Sequence, residues 1–300
     1  METNETIIMQ KTRVRDFRRL SEIFLRIIPF LTLFVFAWIR MLRTPGVWQM
    51  LAGLQIAAIA VAAWKLGASA IRSQAEHRRG LALTGALLVA PWAVVAFLIG
   101  MGPPWWANEA ENRIRFEALL IARILIPAGF VVLWATLREA GERFYSLLGF
   151  AATMLAGPLM LIFGTFQLAF DALLAQASSG QPPEWLLPLN RQAGIVDDLE
   201  LILTYLATAA FAVALLKIGW LGRGTSRVFV GISLFAVLCL TVAAAVVLQF
   251  PPGRLRFETA SLGVKIALIP GFVFGIPAIP FIIPSLMGVN LLRRAGEEHP

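Results

Sequence analysis

Eight runs of mostly apolar residues, each close to the length that crosses a bilayer, dominate this chain of 300 residues. They cover approximately 23–39, 47–66, 81–102, 116–137, 146–170, 199–220, 227–249 and 262–287. A hydrocarbon core about 30 Å thick takes about 20 such residues per helix. Inside it every backbone N–H and C=O must be bonded within the protein. The fold class that follows is all-α, a polytopic transmembrane helix bundle of about eight spans. Composition agrees: 58% apolar and 15% charged, against about 45–50% and 25% in soluble domains. A disordered chain, a disulfide-stapled secreted domain, a collagen and an ordinary cytosolic enzyme are excluded. The first run is the shortest and carries Arg26 near its start, where it can snorkel to the headgroups. Residues 36–40, Phe-Ala-Trp-Ile-Arg, offer no small-residue cleavage site, so this run is read as a retained helix and not as a signal peptide.

Lysine and arginine set the expected orientation. With the N-terminus inside, the cytoplasmic segments hold sixteen cations, among them Lys11 to Arg19, Lys65 to Arg79 and Arg293-Arg294; the outer segments hold seven. Both termini are therefore expected in the cytoplasm, in the plasma membrane. The net charge of +8 then reflects basic loops facing anionic lipid, with no nucleic-acid partner. The segment Lys11–Arg19 reads as a surface helix drawn to anionic lipid.

Landmarks recur in order along the two halves. Gly102-Pro103-Pro104 is followed by Arg113-Ile114-Arg115-Phe116-Glu117, and Phe250-Pro251-Pro252 by Arg254-Leu255-Arg256-Phe257-Glu258. Further on, Ile126-Pro127-Ala128-Gly129-Phe130 resembles Ile269-Pro270-Gly271-Phe272, and Trp64-Lys65-Leu66-Gly67 resembles Leu216-Lys217-Ile218-Gly219. The reading is two fused four-helix repeats in parallel orientation, over 23–142 and 143–290, with a basic cytoplasmic segment at 1–22 and a tail at 291–300.

Charge repeated inside or beside spans marks the candidate binding site: Arg113, Arg115, Glu117 and Arg123 in one half, Arg254, Arg256, Glu258 and Lys265 in the other. Arg113/Glu117 and Arg254/Glu258 are i,i+4 pairs at outer helix starts. The plainer reading of them is an interfacial anchor. A cation within a span costs about 2.5–3.5 kcal/mol and seeks protein or water. Arg123 and Lys265 therefore face the interior or snorkel outward. Glu258 and Lys265 share a face at a spacing of seven, but Glu117 and Arg123 do not, so Arg123 needs a partner from another helix: Asp171, Glu200 or Gln249. The last span, with Pro270, Pro277, Pro280 and Pro284, is expected to be kinked or unwound. The loop 171–198 is expected to carry a short interfacial helix after Pro182-Pro183, with Asp197-Asp198 as helix caps or, more weakly, a cation site.

Other chemistry lacks its residues. Cys239 stands alone, and His77 and His299 lie in a loop and the tail, so no metal site, haem or cofactor is expected. No nucleophile elbow and no phosphate-binding glycine pattern occurs. The function expected is a transport protein or channel with an outward-facing polar site between the repeats, for a small polar or anionic solute. The alternatives are a non-catalytic subunit with protein partners in the membrane, and a membrane enzyme acting on a lipid or isoprenoid-type substrate through Glu117, Glu258 or Asp197/Asp198.

Overall fold

The computed structural model describes residues 2–38, 45–102, 108–176, 185–250 and 261–297. All regular structure among them is helical: α1 (Glu2–Trp38), α2 (Pro45–Leu66), α3 (Glu76–Val89), α4 (Pro91–Gly100), α5 (Glu109–Glu139), α6 (Phe144–Gln176), α7 (Leu186–Lys217), α8 (Arg223–Leu248), α9 (Leu262–Gly275) and α10 (Ile282–Glu297). Short 3₁₀ turns follow α2 and precede α10.

Among the described residues, six helical segments are long and apolar enough to cross a membrane: Gly46–Leu66, Glu76–Gly100, Ala110–Glu139, Phe144–Phe170, Pro188–Lys217 and Arg223–Leu248. Together α9 and α10 give a seventh if counted as one span, bent by 57° between Gly275 and Ile279. The chain is thus a helical bundle of multi-pass membrane type. The first helix is not among the six; its apolar run 23–39 extends past the last side chain described there. Leu54, Leu155, Leu238 and Phe272 lie exposed on the perimeter, where lipid takes the place of water.

Spans adjacent in sequence are mostly adjacent in space, α3 and α4 together making one span: α6 packs between α5 and α7, α8 between α7 and α9, and α2 against α1 and α4. The exception ties the ends together. Helix α10 returns to α3, and there Gly85 and Gly288 bring the backbones so close that a Cβ on either would lie 2.8–2.9 Å from the other's carbonyl oxygen. Small residues permit such crossings between spans, where dispersion rather than hydrophobic exclusion drives packing. The main core runs through Leu25, Ile59, Leu88, Trp92, Phe130, Phe211 and Met287.

Two expectations are corrected. The stretch 186–198 belongs to α7, which starts thirteen residues before the expected span at 199. No separate interfacial helix forms there, because Pro188 sits in the first turn, where its missing N–H costs nothing, and the polar residues after it find partners. Arg191, for example, donates to the Val247 carbonyl at 3.1 Å. Asp197 and Asp198 are accordingly mid-helix residues and not caps. The fourth span also starts earlier, at Glu109, and is capped by a reciprocal Asn108/Glu111 box.

Candidate functional site

Helix α5 carries Arg123 into the interior, where its side chain is only 7% exposed. A rise of 1.5 Å per residue from Ala110 puts it about 20 Å along a candidate span, close to mid-depth. Its counter-charges come from α7. Arg123 Nη1 donates to Asp197 Oδ1 at 2.7 Å and lies 3.7 Å from Glu200 Oε2. Thr204 Oγ1 donates to Glu200 Oε1 at 3.0 Å. Asp197, Glu200 and Thr204 fall at i, i+3 and i+7, one face of a helix. The guanidinium also stands over the Phe163 ring of α6, 5.2 Å from its centroid, a geometry that favours a cation.

The break between α9 and α10 covers this cluster. Pro277, Pro280 and Phe281, from the break between α9 and α10, enclose with Arg123, Glu200 and Thr204 a void of about 10 Å³, near the minimum for one water. Glu200 Oε2 is buried and accepts no hydrogen bond among the described residues. Larger cavities flank the ion cluster. One of about 200 Å³ is lined by Arg123, Phe163, Gln167, Asp197 and Pro277. Another of about 480 Å³ is lined by Asp197, Asp198, Val247, Gly271 and Pro277. Asp197 and Pro277 border both.

Of the other residues singled out in the sequence, those that are described do not join Arg123. Arg113 pairs with Glu117 at 3.0 Å on an exposed face. Arg115 turns inward and closes the end of α4, donating to the Met101 carbonyl at 2.8 Å and the Leu98 carbonyl at 3.4 Å. Lys265 is half-buried in the first turn of α9 and is not among the residues lining the cavities around Arg123. Arg254, Arg256 and Glu258 lie outside the described residues. Of the three partners considered for Arg123, Glu200 is at the site and Gln249 ends α8 on the exterior; the Asp171 side chain is outside the described set. Asp197 is the partner the sequence reading missed. Its i+3 and i+7 relation to Glu200 and Thr204 is the signal that would have found it, hidden by reading 171–198 as a loop.

Among the described residues no group of three or more His, Cys, Asp or Glu side chains is placed to hold a metal ion. Comparisons with protein-family models, with curated proteins and with solved structures find no match to the chain. What the cluster can do chemically rests on its own geometry: a guanidinium held against two carboxylates, one with a buried oxygen that accepts no hydrogen bond among the described residues, beneath a helix break.

Proposed function

We propose that the protein is a multi-pass transport protein of the plasma membrane, with both termini cytoplasmic, whose path passes the Arg123–Asp197–Glu200 cluster between two fused four-helix halves. The observation that carries this reading is the buried ion cluster beneath the break between α9 and α10. Ionisable groups are costly at this depth and generally mark ion, proton or substrate routes. Discontinuous helices accompany binding sites in transporters because their freed carbonyls need protein or water.

Packing supports the duplication. A Cβ at Gly129 in α5 would press on Leu88 in α3, the preceding span. A Cβ at Gly271 in α9 would press on Ala243 in α8, again the preceding span. The glycine that follows the repeated proline thus does the same work in each half.

Among the described residues, formal charge at the cluster is one guanidinium against two carboxylates, with Asp198 beside them. That balance favours a proton as the coupling species over direct capture of an anion. Glu200 is the carboxylate we assign to carry it, and a small polar or anionic solute would use the flanking cavities. The test is proton uptake into proteoliposomes containing the full chain and a trapped pH dye, with lactate, phosphate or glutamate outside. Solute-dependent acidification is expected, lost in Glu200→Gln and Arg123→Gln proteins that remain folded. Acidification no faster than in empty liposomes with all three solutes, or unchanged in both variants, overturns the reading and leaves the cluster a packing element.

A further inference from the structure

A second cavity, of about 590 Å³, opens where α1, α2 and α10 converge, between Phe17, Arg18, Lys65, Arg72, Arg78 and Gly296. Four of these residues are cationic, and among the described residues no carboxylate lines the space. None of the four forms an ion pair among the described residues. Two are held as fixed posts. Arg78 Nε donates to the Ala295 carbonyl at 2.7 Å, and Arg18 Nη2 lies 3.4 Å from the Leu66 carbonyl and 3.3 Å from that of Arg293. Those oxygens belong to the last turns of α2 and α10, the negative ends of the helix dipoles. A guanidinium carries five N–H donors, so each arginine keeps donors for a further ligand. Arg72 rests over the Trp64 ring at 5.2 Å, and Lys65 is exposed with no polar partner among the described residues.

Depth narrows the ligand. Lys65 is the penultimate residue of the candidate span Gly46–Leu66, and the next begins at Glu76. In a bilayer, the turn between them lies at headgroup level. Phe17, exposed on α1, adds an apolar lip. Basic pockets between spans at this level suit phosphate-bearing headgroups, and charge-assisted bonds from guanidinium to phosphate are among the strongest available.

We infer that this cavity binds a phosphate group, presented by an anionic phospholipid headgroup. The site is separate from the Arg123 cluster and does not depend on the transport reading. The test is native mass spectrometry of the full chain in detergent, titrated with phosphatidylglycerol or phosphatidylcholine. Wild type is expected to retain phosphatidylglycerol and not phosphatidylcholine. Lys65→Gln/Arg72→Gln is expected to weaken retention about thirty-fold, while Arg223→Gln/Arg227→Gln, cations of α8 outside the cavity, leaves it unchanged. Soluble glycerol phosphate separates the two sources of the group. Failure to displace the lipid supports the headgroup, whereas full displacement at micromolar concentration overturns that part in favour of a free phosphate ester. Amine labelling of wild type gives a readout without mutation: phosphatidylglycerol should protect Lys65 and not Lys217. Equal retention in both double variants, or equal labelling of Lys65 with and without lipid, overturns the site.

Discussion

Arg123 of α5 and Asp197 of α7, 74 positions apart in the chain, are joined by a 2.7 Å charge-assisted hydrogen bond inside the bundle. Arg123 is buried and Asp197 half-buried, and each charge is held in the interior by the other. The guanidinium would otherwise stand in an apolar interior beside Ile126 and Phe163, and the carboxylate would interrupt an apolar helix face next to Leu201. The bond therefore fixes both the rotation and the depth of α5 against α7.

Removing one partner should cost far more than removing both. Arg123→Gln is expected to lose about 3–5 kcal/mol of stability, since it strands two carboxylates. Adding Asp197→Asn should recover most of that loss. Denaturant unfolding of the purified protein in detergent checks both; an Arg123→Gln protein as stable as wild type would show that the pair contributes nothing to the fold.

Glu200 and Thr204 should behave in opposite ways. Glu200→Gln keeps an oxygen for the Thr204 hydroxyl and removes one surplus negative charge, so stability should stay within about 1 kcal/mol of wild type or rise. Thr204→Val removes that donor from a buried carboxylate and should cost about 1–3 kcal/mol. Thermal unfolding of the two variants side by side reads the difference in sign.

The crossing of α3 and α10 has no room for a side chain. Gly288→Val would drive carbons into the Gly85 carbonyl and the Leu88 side chain, with an expected loss of about 1–3 kcal/mol from overpacking. Gly231→Ala in α8, where a Cβ meets nothing within 4 Å, should instead be neutral or gain up to about 1 kcal/mol of helix propensity. Melting temperatures of the pair distinguish local packing from a general intolerance of glycine replacement.

Neighbouring arginines on α5 should separate in the same way. Arg115→Met leaves the Leu98 and Met101 carbonyls without their donor, which should cost about 1–3 kcal/mol and raise amide hydrogen exchange at the end of α4. Arg113→Gln breaks only an exposed i,i+4 pair and should cost under about 0.5 kcal/mol. Exchange at residues 97–102 should rise in the first variant and stay at the wild-type rate in the second.

Much of this molecule is legible in its residues. The apolar runs specify a membrane-type helical bundle, the four prolines of the last run anticipate the break between α9 and α10, and a lone arginine within a span requires a counter-charge from elsewhere. Glu200 was visible as one such partner. Asp197 was not, because Pro182-Pro183 and the polar stretch around Asn190 resemble a loop; only contacts such as Arg191 with the Val247 carbonyl make that stretch helical.

The amino-acid order alone settled the membrane-type surroundings and the all-helical class, though not where every helix begins. Lipid demands continuous apolar length and internal backbone bonding, and both are written along the chain. The tertiary structure alone decided which charges meet: Arg123 with Asp197 and Glu200, Arg115 with the end of α4, and four cations around one cavity. In water an amphipathic stripe shows which face of a helix turns inward. In lipid the outer face is as apolar as the inner, so rotation and depth are set by small-residue crossings and buried ion pairs between distant segments.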